Sequence, residues 1–358
     1  MNSWQSHIIR MNGKRFSIEN QEEMSELINC ESDELVKQVL LFFKEWISEQ
    51  NSIRLKTSGT TGKPKTISVS KQSMIESAKM TAKALGLRQG MKALLCLSSD
   101  FVAGKMMIVR AMQLEMELIT TNVSANPIEN LNQKIDFAAM VPLQLSKILQ
   151  QTPKKLSLIK KLIIGGSAID SQLEEALQSI ESQCFHTYGM TETLSHIALR
   201  KLNGEDRTDW FTPLGGIQIS LDDRACLCIL APFVQETLII TNDLAEIDLK
   251  GRFKILGRTD DVIVSAGKKI HPEDVERKIK HLFHKHFIIS SVKDDYSSES
   301  VVLYVEEKFG IKALFNLWEN LIQSLEPHEI PRKIIQIEQI PFLESGKLDR
   351  KCCREMTK

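Results

Sequence analysis

The sequence runs to 358 residues, enough for two domains and a large core, and its 42% apolar and 26% charged content is that of an ordinary soluble globular chain. Lysine plus arginine and aspartate plus glutamate each number 46, so the formal charge is zero and no global field recruits nucleic acid or an anionic membrane. Seven cysteines without a C-x-x-C pair indicate neither a disulfide framework nor a zinc site, and the N-terminal "MNSWQSHIIRMNGKRF" has no apolar core of signal-peptide length. No apolar run reaches the ~18 residues a membrane span needs, so a cytoplasmic protein is expected.

In chain order, the first clear element is 34–49, "ELVKQVLLFFKEWISE", a predicted helix with Leu35, Val39, Phe43, Trp46 and Ile47 on one face. From Lys92 onward, strand-like runs ("KALLCL", "MELIT", "FAAMV", "KLIIG") alternate with helical ones ("QLSKILQ", "SQLEEALQSI"), which argues for an α/β sheet with parallel strands. Around 217–256 the pattern becomes strands joined by Asp and Gly turns, a mostly antiparallel region. After "GRTDD" a new pattern begins: the strand "VIVS", the helix "HPEDVERKIKHLF", the strands "FIISSV" and "VVLYVEE", a helix carrying Leu314, Trp318, Leu321, Ile322 and Leu325, and the strand "KIIQIEQI". This β-α-β-β-α-β run predicts an independent small α+β domain over 262–358, with the boundary at 257–261.

The segment "KTSGTTGKPKT", 56–66, has no hydrophobic side chain. Gly59 and Gly62 permit unusual backbone torsions, so that main-chain N–H groups converge on an anion, and Thr57, Ser58, Thr60 and Thr61 add hydroxyls while Lys63 and Lys65 add charge. It is not a Walker A loop, because Pro64 follows the lysine where a helix would have to begin. The following "KTISVS" alternates like a strand, so the loop is expected to link two strands and clamp phosphates; the same residue types also make plain surface turns.

"TSGTTGKPK" resembles the phosphate loop of the adenylate-forming superfamily, which includes acyl-CoA synthetases, luciferases and peptide-synthetase adenylation domains. "GGSAI" (165–169), "YGMTET" (188–193), "TND" (241–243), "GRTDDVIVSAGKKIHPEDVE" (257–276) and "PFLESGKLDR" (341–350) resemble its later motifs in order, from about 57 to 350. The resemblance implies an α/β fold: a large N-terminal AMP-binding domain with mixed and parallel sheets over 1–256, a hinge at 257–261, and a small mobile domain carrying a catalytic lysine. It also implies ATP, Mg²⁺ and CoA as co-reactants in turning a carboxylate into an acyl-adenylate and then a thioester.

By the same resemblance, residues Thr57 to Lys63 hold phosphates, Gly165, Gly166 and Ser167 border the base, and Tyr188 stacks on adenine, with Gly189 and Met190 beside it. Thr191 contacts the α-phosphate, Glu192 holds Mg²⁺, Asp243 accepts the ribose hydroxyls and Arg258 contacts ribose or phosphate. Lys347 corresponds to the lysine that stabilises charge growing on the bridging oxygens. Asp260 matches the hinge residue, and Gly267 the glycine bordering the pantetheine tunnel. Read singly, Tyr188 is equally a core tyrosine, Thr191 a helix cap and Asp243 a turn residue.

"YGMTETLSHIALRKLNG" and "PLGGIQISLDDRACLCI" are most similar to the o-succinylbenzoate–CoA ligases of menaquinone biosynthesis. That acid carries an aromatic ring and a second carboxylate, so its pocket needs apolar walls and a donor. "SSDFVAGKMMIVRAM" (98–112) falls at the family's acyl pocket, offering Phe101, Ala103 and Gly104, with Lys105 as candidate cation and Ser195 and His196 as further candidates. Lys105 reads equally as a solvated helix lysine, and His196 as a satisfied core histidine. Only 56 residues precede the loop, so a reduced N-terminal region is expected, with a more open acyl pocket or a wall supplied by a second subunit of a homo-oligomer. The alternatives are a ligase for another acid or a carrier-protein thiol, and a non-catalytic nucleotide-binding derivative.

Overall fold

The computed structural model describes residues 8–17, 21–56, 66–169, 171–294, 298–341 and 349–356. Its contacts divide the chain into two compact units, Met1–Ile219 with Ile229–Ile239, and Ser220–Cys228 with Ile240–Lys358. The segment 257–261, expected to be a hinge, lies inside the second of these.

The first unit begins with β1 (Ile8–Met11), β2 (Lys14–Ser17), α1 (Gln21–Cys30), α2 (Glu34–Ile47), β3 (Ser52–Lys56), β4 (Thr66–Ser70) and α3 (Lys71–Leu85). It continues with β5 (Lys92–Leu95), α4 (Val102–Gln113), β6 (Glu117–Thr120), β7 (Ile135–Met140), α5 (Pro142–Gln151) and β8 (Ile159–Ile164). The last elements are α6 (Ser171–Ala176), β9 (Gln183–Gly189), β10 (His196–Lys201) and β11 (Thr212–Pro213). Nine strands form one sheet in the order β11-β10-β9-β8-β7-β5-β6-β1-β2. The pairs from β1 to β9 across its middle are parallel, as strands separated by helices require, and the hairpins β1-β2 and β9-β10 at its margins are antiparallel.

Both faces of this sheet are buried, which explains why its strands read as continuous apolar runs. Ala93, Leu95, Phe137, Ala139 and Ile163 pack on one side with Val39, Phe43 and Trp46 of α2 and with α3 and α4. Their alternate neighbours Leu94, Cys96, Ala138, Met140, Leu162 and Ile164 pack on the other with Leu145 and Ile148 of α5. The expected stripe on α2 is therefore core, except that Ile47 is only half-buried. Asp33 starts this helix by accepting the N–H groups of Leu35 and Val36 at 2.9 and 3.1 Å.

β3 and β4 form a separate antiparallel pair whose register ends at Lys56 opposite Thr66. The predicted phosphate loop thus joins two paired strands, while its own residues, Thr57 to Lys63 among them, lie outside the described residues.

The second unit carries two sheets. β12 (Gln218–Leu221), β13 (Cys226–Leu230), β14 (Ile239–Ile247) and β15 (Phe253–Arg258) lie for the most part in it and pair in that order. Its turns are the expected Asp turns: Asp222 accepts from the N–H of Arg224 and Cys226, and Asp248 from those of Lys250 and Arg252. Then follow β16 (Ile263–Ser265), β17 (Lys268–Ile270), α7 (Pro272–Ile279), β18 (Phe287–Asp294), β19 (Ser298–Val305), α8 (Ile311–Ser324), β20 (Lys333–Gln336) and α9 (Arg350–Glu355). The sheet runs β17-β16-β19-β18, with β20 parallel to β19, over a core that includes Val275, Ile279, Leu303, Leu317 and Leu321. β17 and α9 extend the predicted pattern; β17 returns from a turn at Ala266 and Gly267, whose φ angles are 49° and 78°. Among the described residues, no helix is long and apolar enough to cross a membrane.

Candidate active site

At the end of β8 the chain bends through Gly165, Gly166 and Ser167. A Cβ on Gly165 would lie 2.2 Å from Thr187 Oγ1, and Gly166 has a φ of 93°, so the first glycine is required by side-chain packing and the second by its backbone conformation. Thr187 donates to the Ile164 carbonyl at 3.2 Å, and His186 Nε2 donates to the Ser167 carbonyl at 3.2 Å. Burial, with the nearby Arg200 charge adding to it, pushes the His186 imidazole down to about 3, so it is neutral and its buried Nδ1 has no partner among the described residues. Phe211 packs against both His186, at 5.2 Å between ring centroids, and Tyr188, at 5.9 Å. Tyr188 thus stands half-buried on an aromatic base next to the glycine bend.

Beyond Tyr188 the chain reverses between β9 and β10. Gly189 has no room for a side chain, since a Cβ there would lie 2.4 Å from the Ser195 carbonyl oxygen. Thr193, fully buried, ties the reversal: its hydroxyl accepts the Met190 N–H at 2.9 Å and donates to the Ser195 carbonyl at 2.8 Å. Leu194 is held at a φ of 66°, a strained value for a branched residue. The result is a rigid 3-10 turn, Thr191–Thr193, on which Thr191 is half-buried and Glu192 exposed to solvent. Thr193 holds this geometry and was not among the sequence candidates.

α4 lies against the other side of that reversal. Gly104 is a packing requirement, because a Cβ would lie 2.2 Å from the Ser98 carbonyl oxygen. Phe101 is exposed. Lys105, the candidate cation, is engaged elsewhere: its ammonium donates to the Arg54 carbonyl at 3.1 Å, lies 3.7 Å from Glu45 and sits over the Phe42 ring. The cation beside Ser195 and His196 is Arg110, only 2% exposed. Its Nη2 donates to Ser195 Oγ at 3.0 Å, its buried Nε has no partner, and among the described residues no carboxylate lies within ion-pair distance. Burial draws it down to about 10, so it stays charged at neutral pH. His196 donates from Nε2 to Thr81 Oγ1 at 3.1 Å, the Thr81 hydroxyl being committed to the Ser77 carbonyl. Burial first, and the Arg110 charge second, hold His196 well below its usual value and so neutral. A guanidinium, a hydroxyl and a neutral imidazole therefore converge, and among the described residues no protein anion balances the guanidinium.

In the second unit, the register of β14 on β15 places Asp243 opposite Arg258. Arg258 joins the buried Asp243 at 2.9 Å to Asp260 at 3.0 Å, and Asn242 Nδ2 donates to Asp260 at 3.1 Å. Gly267, on the β16-β17 turn, has open space around its Cα: an added Cβ would meet nothing within 4 Å. Lys347 lies outside the described residues.

A family model described as AMP-binding enzyme matches residues 48–226. The 2-succinylbenzoate–CoA ligase of Lactococcus lactis subsp. lactis is 24% identical over 323 residues, 85% of this chain and 70% of that protein. The one from Staphylococcus epidermidis is 23% identical over 328 residues, 82% and 68% of the two chains. Among solved structures, an acyl-CoA synthetase (AMP-forming)/AMP-acid ligase II-like protein from Dyadobacter fermentans is 31% identical, with a TM-score of 0.62 over 93% of this chain and 98% of its own. The o-succinylbenzoate coenzyme A synthetase (MenE) from Bacillus subtilis, in complex with ATP and magnesium ion, shares the fold at a TM-score of 0.70 and 21% identity, over 87% and 74% of the two chains.

Proposed function

This chain belongs to the AMP-binding enzyme family, and on that premise we propose that it is an ATP-dependent acid–thiol ligase whose acid carries a second carboxylate, with o-succinylbenzoate as the substrate and menaquinone synthesis in the cytoplasm as its setting. In the first half-reaction a carboxylate oxygen bonds to the α-phosphorus of ATP and the bond to pyrophosphate breaks. In the second, the CoA thiol takes the acyl group and AMP leaves.

The observation that carries the substrate reading is Arg110. A buried guanidinium with no counter-ion among the described residues is costly, and a ligand carboxylate is the natural complement to it. The Ser195 hydroxyl beside it, which accepts from Arg110, is free to donate its own proton to the same anion. A simple fatty acid would leave the charge unbalanced. The curated relatives named above support the choice of o-succinylbenzoate among such acids.

The remaining roles follow the resemblance and the geometry. Tyr188, backed by Phe211, offers a face to adenine, and the bend at Gly165 lets the chain approach the base edge closely. Thr191 on its fixed turn donates to the α-phosphate, and Asp243 accepts the ribose hydroxyls while Arg258 holds it. Glu192 is a hard, exposed carboxylate suited to Mg²⁺, and no cluster of three or more ligating side chains occurs among the described residues, so such an ion would be held largely by phosphate oxygens. Bound there, Mg²⁺ would neutralise phosphate charge. Residues 57–63 clamp phosphates, and Lys347 stabilises the charge that develops on the bridging oxygens. Rotation at Asp260 then exchanges Lys347 for the Gly267 turn, past which the thiol arm enters.

The test is acid-dependent exchange of pyrophosphate into ATP across a panel of o-succinylbenzoate, benzoate and a medium-chain fatty acid, followed by addition of CoA. Exchange with the diacid, and thioester on adding CoA, is expected. Equal exchange with the fatty acid would remove the role given to Arg110, and no exchange with any acid would leave a nucleotide-binding protein without this catalysis.

A further inference from the structure

The helix α8 carries more apolar surface than its own domain uses. One face of it is core: Leu317, Leu321 and Leu325 are buried, with Leu314 half-buried beside them. Ile322, expected on that face from the sequence, is instead 59% exposed, and Ile311 and Phe315 are 91% and 65% exposed. Trp318 is half-buried between the two groups. At about 100° per residue, Ile311, Phe315, Trp318 and Ile322 fall within about 60° of one another, roughly a quarter turn from the core face. Their spacing of four, three and four residues is that of the d and a positions along a coiled-coil seam. None of them belongs to the candidate site, and a contiguous exposed apolar stripe of this kind marks an interaction surface.

The charges of α8 select the partner. Its two charged residues are Lys312 and Glu319, both exposed. Each follows a member of the stripe by one position, so both flank it on the same side, while Leu314 and Leu321 form the opposite flank. When two copies of a helix pack antiparallel about a two-fold axis, like flanks meet. With that axis between Asn316 and Leu317, Ile311 faces the partner's Ile322 and Phe315 faces the partner's Trp318. Lys312 then comes beside the partner's Glu319, about 3 Å apart along the axis at the helical rise of about 1.5 Å per residue. The two-fold repeats each contact, which gives two such ion pairs. Parallel pairing would instead turn both charges toward the leucine flank, where Leu321 is fully buried in its own domain. The stripe is thus complementary to itself in one arrangement.

We propose that α8 is a self-association surface, which pairs antiparallel with α8 of a second copy of this chain through Ile311, Phe315, Trp318 and Ile322. Such pairing is independent of the ligase reading. A 14-residue helix is about 21 Å long and about 10 Å wide. One face of that size covers less than the ~800 Å² per partner of a stable complex. The dimer is therefore weak, with a Kd on the order of 10–100 µM.

Sedimentation equilibrium of the full chain, from about 1 to 300 µM, should show a monomer passing into a dimer. Phe315→Lys places a charge at the centre of the stripe and should raise Kd by about 30-fold or more. Lys312→Glu and Glu319→Lys should each raise it by about 10-fold, because each turns both ion pairs into repulsions. An equimolar mixture of those two variants should regain the dimer, since every pair between them is again of opposite sign. A chain that stays monomeric throughout would overturn the proposal, as would a dimer indifferent to Phe315→Lys. Failure of the mixture to associate would overturn the antiparallel arrangement. The urea midpoint at about 1 µM, where the chain is monomeric, should be unchanged by Phe315→Lys. A fall there as large as a core substitution gives would show that the stripe serves packing within the chain, and the proposal would fail.

Discussion

Two arginines are buried in this molecule on opposite terms. Arg350, in the second unit, has carboxylates from Glu273, Glu276 and Asp261 around it, which outweigh the effect of burial and raise it above its usual value. Arg110, in the first unit, has a serine hydroxyl and a methionine sulfur, and burial lowers it to about 10. A buried cation with its own anions is complete as architecture. One without them is complete only when something else brings the charge, and that difference separates a structural arginine from a binding one.

The largest expected effect breaks the comparison on the structural side. Arg350→Met leaves three carboxylates without their cation and should cost about 3–5 kcal/mol of stability, read from the urea midpoint. Arg110→Met removes a charge that no carboxylate among the described residues balances, so the same measurement should show no loss. Its effect should appear in function: kcat/KM for the diacid down by about 100- to 1000-fold, an interaction of about 3–4 kcal/mol, as for truncation of a buried charge pair. If both variants destabilise the chain alike, the distinction between the two arginines fails.

The parallel core was legible because its strands, flanked on both faces by helices, are uninterrupted apolar runs, and the Asp turns of 217–256 announce themselves by residue type. β17 and α9 were not, since three residues of "KKI" and the polar "RKCCRE" carry no periodic signal. Gly165 was read for its approach to a ligand, and Gly104 as lining the acyl pocket; both also have packing reasons, at the Thr187 side chain and the Ser98 carbonyl, that only the fold reveals. Arg110 was passed over inside "KMMIVRAM" because an arginine is by default a surface residue, and its partner Ser195 is 85 positions away. A lone cation within an apolar helix run was the available signal. Thr193, Phe211 and Thr81 are likewise defined by contacts across the chain.

A smaller effect sharpens the contrast through pH. His186 and His196 are both neutral in the fold and lowered from 6.5, His186 to about 3. Below 6.5 the unfolded chain takes up protons that the folded chain refuses, so stability is full above that value and declines as the pH falls toward 3. The slope approaches about 1.4 kcal/mol per pH unit for each histidine. His186→Gln should remove its share, seen as a flatter Tm profile between pH 6.5 and 4.5. Arg110→Met should flatten it slightly too, by relieving the smaller of the two causes that depress His196.

The smallest expected effect decides which cation of α4 meets the acid. Lys105 and Arg110 are five residues apart, about 140° around a helix, so they face different surroundings. Lys105 spends its ammonium on the Arg54 carbonyl, Glu45 and the Phe42 ring, contacts that tie α4 to α2 and β3. Glu45 is partly exposed, and such a pair contributes about 1 kcal/mol or less. Lys105→Met should therefore shift stability by no more than that and change kcat/KM for the diacid by less than about twofold. A loss as large as that of Arg110→Met would mean that the acid reaches Lys105 instead, and Arg110 would then be an unbalanced charge that the fold tolerates without use.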